Sequence, residues 1–198
     1  MITQRDATAH VMASLLDCIY SLPEDGPIFI EPPFITIPAG EFLMGPPESA
    51  KKTSVPEYQI AKYKLTNIEY STYLRNSRDV ANPPGWSEIG QAMLYHHPVV
   101  NVSWDDMQPY KKFYDKCHGG KYVYDLPSSE EWEKAARGTE DARNYPWGDE
   151  FDKNRCNSYE SNIGTTTPVN FFEGLGDSPF GVIDMAGNVW EWLRDVAE

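Results

Sequence analysis

The chain has 198 residues, of which 40% are hydrophobic, 24% are charged and 13% are aromatic, a composition typical of a soluble globular protein. Its formal net charge of −13 argues against a nucleic-acid-binding protein, which would carry a basic patch. Three cysteines at irregular spacing predict neither a disulfide framework nor a zinc site, and reduced thiols favour a cytoplasmic location.

The first predicted element is an amphipathic helix over residues 4–21, whose apolar side chains recur at helical spacing. Its apolar runs are too short for a signal peptide or a membrane span, so we expect no membrane partner. The apolar face must be buried, either on the main domain or against a partner. Residues 22–33, rich in proline and acidic residues, predict an extended arm. We therefore separate an N-terminal helix and arm, 1–33, from a main domain, 34–198.

Short strands are predicted at four places in the main domain. Residues 34–37 and 41–45 flank a Pro-Ala-Gly turn and predict a hairpin. Residues 58–63 alternate in polarity and predict a further strand, and residues 121–126 predict a short last one.

Three helices are predicted from their capping signals. Thr66 with Glu69 forms a capping box, and the helix would end near residue 75. A second helix over residues 105–116 begins after Ser103 or Trp104 and ends at two glycines. Ser128 with Glu131 starts a third helix that ends at residue 137. Residues 139–180 are rich in turns. Short strands, three helices and this long irregular region together predict an α+β fold class with much irregular backbone. A bound metal ion could fix such irregular backbone.

Seven segments, taken together and in order, carry a family resemblance. They lie at 37–45, 65–70, 97–104, 126–133, 135–138, 145–150 and 181–192. Together they resemble the formylglycine-generating enzyme (sulfatase-modifying factor) family over roughly residues 34–195. The resemblance implies a loop-rich variant of the C-type lectin fold with bound calcium. It also implies oxidation of a sulfatase cysteine to Cα-formylglycine, using dioxygen and a copper ion held by two cysteines.

The resemblance implies two calcium sites. One would use the Asp184 and Glu191 side chains with the carbonyls of Gly187 and Val189, the mixture of oxygens that calcium prefers. The alternative interpretation makes the two carboxylates solvated turn residues.

The other implied calcium site would use the Asn157 and Glu160 side chains with the carbonyls of Ser158 and Asn162. Glu160 departs from the family, which usually has Asp at that position. The longer side chain would change the geometry of the loop.

Other residue patterns are assigned structural roles. Five tryptophans are predicted as core aromatics rather than a stacking platform for a sugar or base: Trp104, Trp132, Trp147, Trp190 and Trp192. The adjacent His96 and His97 would point to opposite faces of an extended segment, which argues against an iron site.

No catalytic residue is assigned, because in the family the two copper-binding cysteines lie beyond the Trp-Glu-Trp motif. Neither Cys117 nor Cys156 matches those positions. Soft copper(I) needs thiolates, so copper is expected only if a missing C-terminal part is supplied.

Three functions compete. The first is a formylglycine-generating enzyme that lacks its catalytic cysteine region, is inactive alone and acts on a protein or peptide substrate with a complementing C-terminal polypeptide. The second is a non-enzymatic, calcium-stabilised binding or scaffold module. The third, an iron-dependent sulfoxide synthase, would need a His-rich helical domain for which residues 1–33 are too short. An incomplete fold would leave apolar surface or strand edges open, so self-association is also expected.

Overall fold

The computed structural model of the chain describes residues 30–77, 80–87 and 94–195. These residues lie almost entirely within the predicted main domain, 34–198. The predicted helix over residues 4–21 and most of the predicted arm lie outside the described residues.

Within the described residues, four short strands pair into two separate antiparallel sheets. They are β1 (Phe34–Ile37), β2 (Gly40–Met44), β3 (Lys51–Val55) and β4 (Tyr58–Ala61). Strand β1 pairs with β4, with Phe34 opposite Ala61, whereas β2 pairs with β3, with Gly40 opposite Val55.

The hairpin predicted from residues 34–37 and 41–45 is therefore wrong, although both strands exist. Each of them instead pairs with a strand further along the chain. Strand β3 was missed because its Lys-Lys-Thr-Ser sequence is exposed on most positions and lacks apolar alternation.

The three predicted helices are confirmed, and each begins with a capping box. They are α1 (Asn67–Asn76), α2 (Trp104–Cys117) and α3 (Ser129–Arg137). The caps Thr66 and Ser128 work as predicted, and Ser103 adds a third box in which Asp106 supplies the reciprocal carboxylate. These boxes satisfy backbone N–H groups that the first turn leaves without intrahelical partners.

The strand predicted over residues 121–126 is wrong. The N–H groups that a strand would offer to a neighbour are taken by aspartates: Tyr124 donates to Asp115 Oδ1 at 3.0 Å and Leu126 donates to Asp125 Oδ1 at 2.8 Å. The segment therefore packs as irregular chain along helix α2.

Helix α3 connects the strands to the later part of the chain through shared buried contacts. Ile37, Ala135, Val182 and Met185 meet in one buried cluster. The ammonium of Lys134, itself fully buried, donates to the Pro38 and Gly40 carbonyls at 2.6 and 3.0 Å. A second cluster, rich in tyrosine, joins α1 and α2 around Tyr70, Tyr73 and Met107.

From residue 138 to residue 195 the chain is irregular apart from one 3-10 turn, Tyr159–Ser161. The α+β class with few regular elements is thus confirmed. In the part of the chain that the structure describes, no helix is long and apolar enough to cross a membrane.

Candidate metal-binding loops

Asp184 is a buried carboxylate on a left-handed turn. The preceding residue, Ile183, donates its N–H to the Lys62 carbonyl at 2.9 Å, which fixes the chain beside the segment that follows β4. Asp184 has φ 63° and is only 6% exposed. Burial raises its pKa to about 7, while the nearby Lys64 ammonium and the hydrogen bond from Asn188 oppose the shift.

Glu191 is held by two donors from other parts of the fold. Its Oε1 accepts the Lys64 ammonium at 2.6 Å and the Trp132 indole N–H at 3.3 Å. The Lys64 side chain is 6% exposed and the Glu191 side chain is 28% exposed. The ion pair is thus shielded from water on the lysine side.

Asn188, which the sequence analysis did not assign, connects the site. Its Nδ2 donates to Asp184 Oδ2 at 2.8 Å and to the Thr167 carbonyl at 3.1 Å. Its Oδ1 accepts the Thr167 N–H at 3.0 Å and the Asn157 amide at 3.2 Å. All four hydrogen-bonding positions of the amide are used. The only feature of the sequence that could have pointed to Asn188 is the pair Gly187-Asn188, two residue types that tolerate positive φ. Both adopt positive φ here.

The two predicted ligand segments touch each other. Asn157 and Gly187 form an isolated parallel bridge, and the Asn188 N–H donates to the Asn157 carbonyl at 2.8 Å. A Cβ atom on Gly187 would lie 2.4 Å from that carbonyl oxygen, and the residue has φ 82°. Only glycine fits this position.

We call residues 157–162 the 157–162 loop. Asn157 turns its amide nitrogen inward to the Thr165 carbonyl at 2.8 Å, which leaves its oxygen available. The Ser158 carbonyl accepts the Ser161 hydroxyl at 2.7 Å, and Glu160 is exposed. Asn162 closes the turn with φ 56°. The loop presents amide, carbonyl and carboxylate oxygens, the donor types that suit a hard cation such as calcium.

We call residues 184–191 the 184–191 loop. It carries two carboxylates, one more than the 157–162 loop, but one of them is already paired with Lys64. Among the described residues, no group of three or more His, Cys, Asp or Glu is arranged to hold a metal ion. The predicted sites contain fewer such residues and depend on amide and carbonyl oxygens, so both ligand sets stay predictions.

Comparison with known proteins decides the family. The family model described as "Sulfatase-modifying factor enzyme 1-like domain" matches residues 21–198. The chain belongs to the formylglycine-generating enzyme family. The formylglycine-generating enzyme of Thermomonospora curvata is 26% identical over 239 residues, which cover 89% of this chain and 75% of that protein.

A second relative within the formylglycine-generating enzyme family carries a different name. A Bos taurus protein named inactive C-alpha-formylglycine-generating enzyme 2 is 39% identical over 105 residues, which cover 48% of this chain and 32% of that protein. The crystal structure of CarF superposes with a TM-score of 0.61 at 22% identity, covering 83% of this chain and 80% of CarF. That likeness supports the fold alone.

The tryptophans that were assigned to the core differ in their exposure. Trp104 and Trp147 are partly buried and donate their indole N–H groups to backbone carbonyls, as predicted. Trp192 donates to the Val102 carbonyl at 2.9 Å but is half exposed. Trp190 is fully exposed at 102%, so its assignment to the core is wrong.

The described histidines and cysteines are assigned to neither loop. His97 Nδ1 lies 2.9 Å from the Thr166 hydroxyl, and burial lowers the pKa of both His96 and His97. Cys117 ends helix α2, Cys156 is buried beside the 157–162 loop, and both are free thiols. Burial raises the pKa of each thiol, which disfavours the thiolate needed for a metal.

A cavity of about 750 Å³ lies between the sheet formed by β1 and β4, helices α1 and α2, and the end of the 184–191 loop. Its walls are mainly aromatic and aliphatic and include Tyr58, Trp132 and Trp190. The charged groups that reach it include Lys64 and Glu191. The cavity is large enough for several side chains of another polypeptide segment.

Proposed function

We propose that this chain is part of a formylglycine-generating enzyme, acting on a cysteine of a sulfatase together with a polypeptide that supplies the copper-binding cysteines. The family match over residues 21–198 carries the proposal. The named activity of the Thermomonospora curvata relative supports it. The two described thiols, Cys117 and Cys156, are assigned no catalytic role.

The reaction proposed for the complete site balances with a thiol reductant. One cysteine side chain reacts with one dioxygen molecule and two thiols to give one aldehyde, one hydrogen sulfide, one disulfide and one water. Dioxygen accepts four electrons, two from the β-carbon of the substrate cysteine and two from the thiols. Copper, when two cysteines hold it, would supply the oxygen chemistry.

The residues of this chain would position the peptide and the complementing polypeptide. The cavity offers apolar walls that include Trp132 and Trp190, where an extended segment could bury its side chains. Trp190 is fully exposed in this chain alone, a state that costs hydrophobic free energy and is relieved when another surface covers it.

Calcium would be held by the 157–162 loop, through the side chains of Asn157 and Glu160 and the carbonyls of Ser158 and Asn162. The amide oxygen of Asn157, which accepts no hydrogen bond from the described residues, and the exposed carboxylate of Glu160 support this assignment. The ion would fix an irregular part of the backbone next to Gly187. The free thiols agree with a reducing compartment, and we propose a cytoplasmic location on that basis.

The decisive experiment extends this chain with a segment of the Thermomonospora curvata enzyme that follows the matched region, chosen to include the cysteine pair that the family resemblance implies. The chimera, the chain alone and a chimera with both added cysteines changed to serine are each loaded with copper(I) and given a sulfatase-motif peptide and a thiol. Formylglycine is measured by mass spectrometry, with melting curves to establish folding. We expect aldehyde from the first chimera only.

Turnover by the chain alone would contradict the need for a complement. A chimera that folds and binds one copper ion but forms no aldehyde would contradict the enzymatic proposal. The second function, a non-enzymatic binding or scaffold module, would then be favoured. The naming of the bovine relative as inactive and the exposed Trp190 support that alternative.

A further inference from the structure

Lys64 places a positive charge inside the 184–191 loop. The residue lies between β4 and the N-cap of α1, and its side chain is 6% exposed. The neighbouring Lys62 carbonyl accepts the Ile183 N–H, so the two segments run side by side. This hydrogen bond brings the backbone near Lys64 alongside the loop, and the buried Lys64 side chain then reaches Glu191.

The ammonium pairs with Glu191 and also acts on the charge of Asp184. It donates to Glu191 Oε1 at 2.6 Å, and it is close enough to Asp184 to act on that carboxylate electrostatically. Asp184 Oδ2 also accepts the Asn188 amide. The buried negative charge is thus already balanced in part by a cation that belongs to the protein.

A calcium ion at the same place would meet this ammonium. Calcium lies about 2.4 Å from its oxygen ligands, so an ion sharing Glu191 Oε1 with Lys64 would lie no more than about 5 Å from Nζ. Two cations at that distance in a shielded site repel each other strongly. With two carboxylates, one divalent ion balances the charge, whereas calcium plus Lys64 leaves a net positive site.

We propose that the Lys64 ammonium takes the place of calcium in the 184–191 loop. The residues of this loop then do not fit the ion that the family resemblance implied, and the 157–162 loop is the calcium site of this chain. The ammonium holds Glu191 and the Asn188 amide holds Asp184, so the loop needs no external calcium to keep its shape.

The test replaces the ammonium by a carboxylate. In Lys64→Glu, three carboxylates would meet and demand a cation. We expect this variant to bind one more calcium ion per chain than wild type, measured by calorimetry and elemental analysis. Its melting temperature should rise by on the order of 5 °C or more when free calcium exceeds Kd a hundredfold, with the same concentration of magnesium as an ionic-strength control.

The matched control is Lys62→Glu. Lys62 also pairs with a glutamate, Glu173, at 2.6 Å, but that pair is on the surface. Lys62→Glu changes the net charge by the same amount as Lys64→Glu, two residues earlier in the chain. This variant should bind no extra calcium. Lys64→Met is the second variant, in case Lys64→Glu does not fold: with the ammonium gone and both carboxylates kept, it should also gain one calcium ion.

The outcomes separate the two calcium assignments. Glu191→Gln in the wild-type background should leave the number of bound calcium ions unchanged, and loss of one ion would overturn the proposal. Equal calcium binding by Lys64→Glu and Lys62→Glu would overturn it as well. If wild type binds no calcium at all, the assignment to the 157–162 loop fails, but the gain expected in Lys64→Glu still tests Lys64.

Discussion

Removing the Asn188 side chain should be among the most destabilising single changes in this domain. The amide forms four hydrogen bonds, to Asp184, Asn157 and both backbone groups of Thr167. Asp184 and Thr167 are buried, so their polar groups cannot readily turn to water. Loss of the amide leaves them without partners.

The magnitude follows from the hydrogen bonds and the backbone. At about 1 kcal/mol per bond, Asn188→Gly should lose about 4 kcal/mol of the free energy of unfolding, while glycine keeps the left-handed φ of 64° without strain. Asn188→Ala should lose about 1 kcal/mol more because alanine resists that conformation. In a domain of this size 4 kcal/mol corresponds to a fall in Tm on the order of 10 °C.

Asn101→Ala is the control. Asn101 has φ 60° and is exposed, and its amide forms one hydrogen bond, to the Pro84 carbonyl at 3.1 Å. It should lose about 1–2 kcal/mol. Urea unfolding followed by tryptophan fluorescence, with chelator present throughout, measures all three variants. If Asn188→Gly costs no more than Asn101→Ala, the amide does not hold the two loops together.

Three further changes test other parts of the structure. Gly187→Ala should lower the free energy of unfolding by about 2 kcal/mol more than Gly164→Ala, measured by urea unfolding. Both residues have positive φ, but only at Gly187 would the new Cβ lie against a backbone oxygen. Equal losses would contradict the close approach of Gly187 to the Asn157 carbonyl. Burial raises the pKa of Glu69 to about 7, so between about pH 4.5 and 7 the folded state holds a proton that the unfolded state releases. The free energy of unfolding should therefore fall as pH rises through this range, by up to about 1.4 kcal/mol per pH unit. Glu69→Gln should remove that part of the slope, and an unchanged slope by urea titration at several pH values would show that Glu69 does not cause it. Ser128→Ala should lose about 1–2 kcal/mol of the free energy of unfolding and Ser103→Ala about 0.5 kcal/mol, measured by thermal melts. The reason is that the Ser128 cap is buried and the Ser103 cap is exposed. A larger loss for Ser103→Ala would contradict the role of burial.

Local features of the fold could be predicted from the sequence. The helices at Thr66 and Ser128 were found because a capping box involves residues only three apart. Strand pairing could not be found in the same way. Strand β1 pairs with β4 rather than with β2, and nothing in the residues of a short strand specifies which of several neighbours it will meet.

The candidate site shows the same limit. The motif resemblance pointed to Asp184 and Glu191, but the group that faces Glu191 is Lys64, 127 residues earlier in the chain. Asn188 stood inside a recognised motif, yet its partners at 157 and 167 lie 31 and 21 residues away. Side chains that satisfy each other across such separations become visible only in three dimensions.

The bridge between Asn157 and Gly187 has a consequence for the order of folding. It closes a segment of roughly 30 residues that contains little regular structure, and closing such a segment costs chain entropy before its hydrogen bonds form. We therefore expect these contacts to form after the capped helices, on the native side of the main kinetic barrier. Changes in the bridge would then accelerate unfolding and leave the rate of folding almost unaltered.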